Sequence, residues 1–277
     1  MKMQPFVAVV IPVHNRRLLL GRAIASVLGQ RFRDFECIIV DDGSDDGSGS
    51  LPCLADPRIT VIRVPFQRGV SAARNTGVAA STAPWIAFLD SDDEWLPEKL
   101  ERQAAWVRHN QQFRILQTRE AWIRNGVRVN PPATHEKTGG DLFSASLERC
   151  MITPSSVMMH RELLAEVGGF NEAMPACEDY DLWLRITARY PVGLVDEILL
   201  RLYGGHGDQL SATVAILDRF RIRSMLGLLE GTLLTDTQTA LVRRQLVIRA
   251  AICANGYLKR GKEELYEQYR TIARKYG

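Results

Sequence analysis

No stretch of this chain is apolar for long enough to cross a bilayer as a helix; nothing approaches the ~20 residues that a span requires. Cysteine is scarce as well. The five present, Cys37, Cys53, Cys150, Cys177 and Cys253, are odd in number, scattered and without a CxxC pair, which argues against a disulfide framework or a zinc site and fits a reducing compartment. Charge of one sign is also lacking. A net charge of +3 over 277 residues is too small to hold a nucleic acid, so no nucleic-acid partner is expected. Residues 1–13 lack a signal-peptide layout and are broken by Pro5 and Pro12. These absences lead to the expectation of a soluble cytoplasmic protein, one that at most works at the inner face of the cell membrane.

Glycine is missing where a dinucleotide-binding fold would need it. The turn after the first apolar run reads Pro12-Val13-His14-Asn15-Arg16, with no GxGxxG, and Gly43, Gly47 and Gly49 come later at the wrong spacing. A dehydrogenase is therefore disfavoured. So is a nucleotidyltransferase, which wants a basic, glycine-rich loop at that point.

What the chain does have is a run of acids driven to a strand end. Trp85-Ile86-Ala87-Phe88-Leu89 reads as a buried strand, and Asp90-Ser91-Asp92-Asp93-Glu94 follows it directly. Carboxylates crowded at that edge repel, and a divalent cation would relieve them; Mg²⁺ or Mn²⁺ suits carboxylate oxygens and arrives with substrate phosphates. An acidic helix start is the plainer explanation, with Pro97 as a first-turn residue.

Taken in order, residues 7–13 read as a first strand ended by Pro12, with Asn15 capping a helix that runs to Gly29. Residues 37–40 make a second strand running into Asp41 and Asp42, and 59–64 a third. A loop and helix follow over 68–77, then the acid-ended strand. This β-α-β-α-β-α-β pattern predicts an α/β, doubly wound, mostly parallel sheet whose acidic strand ends and His14 share one edge. Beyond it come a helix over 97–109, strands over 113–117 and 121–129 with a turn at Gly126, and a mobile polar loop over 130–141. A strand over 154–159, a helix over 161–167, a helix opening at Cys177 and a strand over 192–203 complete that half. From Ala212 on, helical spacing predicts a bundle of about three helices. Duller roles fit several of these residues: Asp41 and Asp42 as a turn, Glu178 and Asp179 as a charged helix start, Trp183 as a packing anchor, Arg68 and Arg74 as surface charges, and His206 as a solvated loop residue.

Five segments then fall into one order: Val9-Val10-Ile11-Pro12-Val13-His14-Asn15, Val40-Asp41-Asp42-Gly43-Ser44, Gly69-Val70-Ser71-Ala72-Ala73-Arg74-Asn75, Asp90-Ser91-Asp92-Asp93, and Glu178-Asp179 with Trp183. The ordered set resembles family 2 glycosyltransferases of the GT-A fold and covers roughly residues 6–206. The resemblance implies a GT-A catalytic domain over 1–211, with a nucleotide-binding half over 1–97 and an acceptor half over 98–211, followed by a C-terminal helical extension over 212–277. Pro12, His14 and Asn15 match the segment lining base and ribose. Asp42, with Asp41 beside it, matches the carboxylate that reads uracil. Arg68 and Arg74 face the nucleotide, and Ser91 and Glu178 adjoin the sugar nucleotide. Asp90 and Asp92 match the pair that holds Mn²⁺ or Mg²⁺ on the diphosphate, His206 a further metal contact, and Asp179 the general base of inverting members. The implied partners are a nucleoside-diphosphate sugar donor, a UDP-sugar by preference, and a glycan or lipid-linked acceptor in envelope or exopolysaccharide synthesis.

A Gln-x-x-Arg-Trp motif, carried by processive synthases, is absent, which points to transfer of a single sugar. A non-catalytic nucleotide-sugar or glycan-binding module on the same fold is the competing class. The basic extension, with Arg243, Arg244, Arg249, Lys259, Arg260 and Lys262, suits peripheral membrane contact, a homodimer face, or simply a solvated face.

Overall fold

A computed structural model describes residues 4–205, 216–231 and 234–277. The expected position of His206 and the boundary near residue 211 lie outside them. β1 (Val7–Val13) is buried along its whole length and lies between β2 (Phe35–Asp42) and β4 (Trp85–Phe88), both parallel to it. β3 (Ile59–Val64) adds to β2 in parallel. Beyond β4 the sheet becomes mixed. β8 (Met158–His160) runs antiparallel to β4 and to β6 (Ile115–Arg124), and β6 pairs in parallel with β9 (Gly193–Gly204). β5 (Glu94–Trp95) closes the far edge against β9.

Strand alternation sorts the core. Val7, Val9, Ile11 and Val13 pack with α1 (Arg17–Leu28) on one face, while Ala8 and Val10 pack towards α2 (Val70–Ala79) and α6 (Glu178–Thr187) on the other. α2 lies so close to β1 that a Cβ on Gly77 would stand 2.4 Å from Val10 Cγ1, which is why glycine is required there. α3 (Lys99–His109), α4 (Phe143–Glu148) and α5 (Arg161–Glu166) complete the layers around the sheet.

Several local expectations change. Pro12 does not end β1; the ladder to β2 continues through Pro12 and Val13. Leu89 donates to Val10 O where pairing with β4 stops, so the ring nitrogen two residues on has no ladder partner to lose. Asn15 is not the cap of α1. It sits at φ 51° and accepts from Asp45 N, while Asp46 Oδ2 and Ser48 Oγ take the Arg17 and Arg16 amides. Residues 113–129 hold one long strand with register shifts around Arg119, followed by β7 (Val127–Val129). Asn125 and Gly126, both at positive φ, make the tight hairpin turn between them. Pro154–Ser156 is a 3₁₀ turn, and the strand begins only at Met158. The loop over 130–141 is anchored by Lys137, 6% exposed, which bonds Met151 O and Thr153 Oγ1 and pairs with Glu120.

The C-terminal residues form α7 (Asp218–Glu230), α8 (Asp236–Leu258) and α9 (Glu263–Tyr276), as the spacing predicts. A full capping box at Thr235 and Gln238 starts α8. These helices share a core with α4 and α6: Phe143, Leu147, Tyr180 and Leu184 pack with Ile222, Met225, Val242 and Leu246.

Candidate active site

The carboxyl ends of β1, β2 and β4 open into a cleft of about 1030 Å³. Pro12, His14, Asn15, Asp42, Arg68 and Arg74 line it from the parallel half. Asp90, Ser91 and Asp92 line it from the end of β4, and Glu178 and Asp179 from the start of α6. The chain thus brings together almost every residue that the motifs singled out.

Asp41 is one exception. It alternates with Asp42 along β2 and so faces the opposite side of the sheet. Its Oδ1 accepts from Ser44 N, and its Oδ2 lies against Gly49 and Arg63, away from the cleft. It makes the turn, the plainer of its two readings. Asp42 does border the cleft at 3% exposure, with Oδ1 and Oδ2 accepting the Arg68 and Gly69 amides at 2.9 and 2.8 Å. This carboxylate therefore shapes the loop that enters α2, and any contact with a base would be a third bond. His14 Nδ1 lies 2.8 Å from Asp42 O.

Asp93 also leaves the site. Its amide donates to Asp90 O, closing a turn that aims Asp90 and Asp92 at the cleft and sends Asp93 under the sheet. There it is 1% exposed, accepting from Ser155 Oγ and from Tyr203 N. Burial, then the charges of Asp92 and Asp90, push its carboxyl well above the ordinary range. Ser155 also accepts the Asp90 amide and so fixes both ends of the turn.

Arg74 is not the surface charge that its plainer reading made it, although it does line the cleft. At 3% exposure it bonds Asp90 Oδ1 through Nη2 and Glu178 Oε1 through Nη1, each at 2.7 Å. Burial alone would lower its pKa, but the two acids outweigh that and hold it charged. Burial raises the Glu178 carboxyl, and Arg74 opposes the rise. One guanidinium therefore ties the acidic end of β4 to the start of α6. Asn75 adds a second tie, with Oδ1 accepting Phe170 N and Nδ2 donating to Phe170 O. Arg68 meets Glu172 at 3.1 Å, both half-exposed.

Asp92 Oδ2 is 3.1 Å from Arg16 Nη1, a pairing the motifs did not suggest although Arg16 directly follows Asn15. Asp90 and Asp92 together offer hard oxygen donors, the set that Mg²⁺ and Mn²⁺ accept when substrate phosphates supply the remainder. Among the described residues no three His, Cys, Asp or Glu side chains come together as a complete protein-only metal site.

Asp179 is partly exposed in the first turn of α6. Its Oδ1 accepts Tyr180 N at 2.7 Å and its Oδ2 accepts the Cys150 thiol at 3.3 Å. Burial and the Asp179 charge push that thiol well above its ordinary range, so it stays protonated as a donor. Cys177, the left-handed residue (φ 59°) before α6, is pushed up to about 12, by burial first and Asp179 next. Cys150 carried no signal in the sequence, because only the folded chain sets it beside the acid. Trp183, 1% exposed, packs within the core and serves as the anchor.

The comparisons with known proteins agree with this architecture. The model of the family described as glycosyl transferase family 2 matches residues 8–168. WfgD of Escherichia coli, named a UDP-Glc:alpha-D-GlcNAc-diphosphoundecaprenol beta-1,3-glucosyltransferase, is 30% identical over 181 residues, 65% of this chain and 69% of that one. An uncharacterized glycosyltransferase of Rickettsia conorii, RC0461, is 28% identical over 208 residues; the match takes in 70% of this chain but 33% of that longer one. Among solved structures, S. aureus TarS 1–349 in complex with UDP-GlcNAc superposes with a TM-score of 0.74 at 16% identity, covering 99% of this chain and 91% of that one. The mannosyltransferase PcManGT from Pyrobaculum calidifontis, in complex with GDP-Man and Mn2+, gives 0.64 at 16% identity over 99% and 85%. At such identities the structural likeness is one of fold.

Proposed function

The chain belongs to glycosyl transferase family 2, and from that premise we propose that it moves one sugar from a nucleoside-diphosphate sugar to a hydroxyl of a lipid-linked or glycan acceptor, inverting the anomeric centre. The observation that carries this reading is the convergence of Asp42, Asp90, Asp92 and Asp179 on one cleft. A binding module without catalysis would have no use for an acid like Asp179, placed apart from the β4 carboxylates.

Pro12, His14 and Asn15 form the wall against which a base and ribose would lie, and the loop held by Asp42 closes it. UDP is the donor nucleotide we favour, as in the complex of the TarS neighbour. A Mg²⁺ or Mn²⁺ ion held by Asp90 and Asp92 would supply Lewis-acid stabilisation of the leaving diphosphate. Arg74 and Arg16 keep those two carboxylates in place.

Asp179 takes the proton of the attacking hydroxyl at Oδ2. The Tyr180 amide and the Cys150 thiol orient the carboxylate for this, and such a base contributes typically ~10²–10⁴-fold. A single displacement opposite the leaving group follows, so an α-linked donor gives a β-linked product. WfgD acts on a diphosphoundecaprenol-linked sugar by name, and an acceptor of that kind is the first to try.

The test is Asp179→Asn. We expect transfer to fall at least about a hundredfold while donor binding, followed by thermal shift with nucleotide sugars and Mn²⁺, stays within a few-fold. Transfer at the unaltered rate would refute the assignment of the base. The same thermal-shift series on the unaltered protein names the donor, because ligands that bind the folded state raise its melting temperature.

A further inference from the structure

One wall of the cleft comes from beyond the family match. Leu217 and Arg221, at the start of α7, line it together with Cys150, Cys177 and Asp179. Arg221 stands 5.7 Å from the ring of Tyr180, the residue after the base.

The charges around Arg221 do not balance. Arg221 and Arg249 both bond a single carboxylate oxygen, Asp218 Oδ1. Arg249, 7% exposed, turns its other nitrogen to the carbonyls of Leu147 and Glu148 at the end of α4. Two guanidinium groups thus share one carboxylate, and the other acid on this wall, Asp179, bonds the Tyr180 amide and the Cys150 thiol, so Arg221 has only half of an acid partner. Arg221 Nε is buried with no acceptor among the described residues, although the side chain as a whole keeps 26% exposure. The other cleft arginines meet acids of their own, Arg16 with Asp92, Arg68 with Glu172 and Arg74 with Asp90 and Glu178, whereas Arg221 shares its acid with Arg249. A planar, partly exposed guanidinium whose carboxylate is shared with a second arginine matches a phosphate oxygen pair.

We propose that Arg221, braced by Arg249 across Asp218, is the binding site for a phosphate group on the acceptor, so that the acceptor is a sugar diphosphate and not a neutral glycan. The inference rests on the glycosyl-transfer reading and on Asp179 as its base, since it sets the acceptor's sugar between that base and Arg221. It also gives the C-terminal helices a part in the site: α8 supplies the brace and α7 the contact.

The probes are a short-alkyl sugar diphosphate and the matching phosphate-free alkyl glycoside, each assayed at saturating donor. Arg221→Met should raise KM for the diphosphate about tenfold or more, the scale of a hydrogen bond to a charged group. Its kcat, the donor KM and the reaction with the neutral glycoside should all stay within about threefold. Arg221→Lys keeps the charge on Asp218, guards against misfolding of the first variant, and should raise that KM by a few-fold. Unchanged KM for the diphosphate in both variants would overturn the proposal. So would an equal loss with the neutral glycoside, a shift in donor KM instead, or an altered pH dependence of kcat at constant KM, which would mean that Arg221 acts through Asp179. Failure of the base assignment reads differently, as undiminished transfer by Asp179→Asn.

Discussion

A charged residue in this cleft is defined by the neighbours that the fold gives it. Asp90, Asp92 and Asp93 are near-identical in sequence, yet the first two meet guanidinium groups at the cleft and the third is buried against Ser155 and Tyr203. Arg74 has the least freedom of all. Its removal leaves Asp90 and the buried Glu178 without their shared partner, and breaking a buried pair in this way costs about 3–5 kcal/mol. Arg74→Met should therefore lower the denaturant midpoint strongly, without change of slope, and weaken donor binding with it. A fully stable variant would show the ion-pair bridge to be dispensable.

At the scale of elements, the β4–α3 region rests on polar contacts under the sheet. Trp95 Nε1 donates to Ser155 O, Gln103 Nε2 to Ser156 O, and Lys99 Nζ to Gln103 Oε1. Lys99, at the first turn of α3, is wholly buried, with its ammonium 4.1 Å from the Trp95 ring centroid. Burial lowers its pKa well below the ordinary 10.5. Between the lowered folded value and 10.5 the unfolded chain holds the proton more tightly, so this group costs stability below that window, and the cost fades as pH rises through it. Lys99→Met should raise the melting temperature by about 2–4 °C at neutral pH, with a smaller gain near pH 10. Thermal scans at both pH values check the sign. A larger gain at the alkaline end would contradict it.

At the scale of the whole molecule, the C-terminal helices have two surfaces. One packs on Tyr180 and Leu184 and reaches the cleft through Arg221. The other leaves Ile248, Ile252 and Leu258 exposed on α8, in a segment, 236–277, with nine basic residues against four acidic. Among the described residues no helix is long and apolar enough to cross a membrane, but apolar side chains amid basic ones suit an anionic lipid surface. Flotation with liposomes should show binding that grows with anionic lipid and falls with salt. A doubled mass in sedimentation, with no lipid dependence, would assign the face to a second copy instead.

Periodicity and turn chemistry were enough to read the parallel half of the fold and the order of its motifs, because a strand buried on both faces and an acid-ended β4 leave their pattern in consecutive residues. The same local signals placed the three C-terminal helices. They could not tell Asp41 from Asp42 or Asp93 from Asp92, since neighbours in the chain are separated only by strand alternation and by the turn closed at Asp90. Nor could they find Cys150, Ser155, Arg16 or Arg221. Each of these acts through a residue 29 to 76 positions away or through a cleft wall that exists only after folding. Which side chains meet across the sheet edge was decided by packing: α2 against β1 through Gly77, α7 against α6, and α8 against α4.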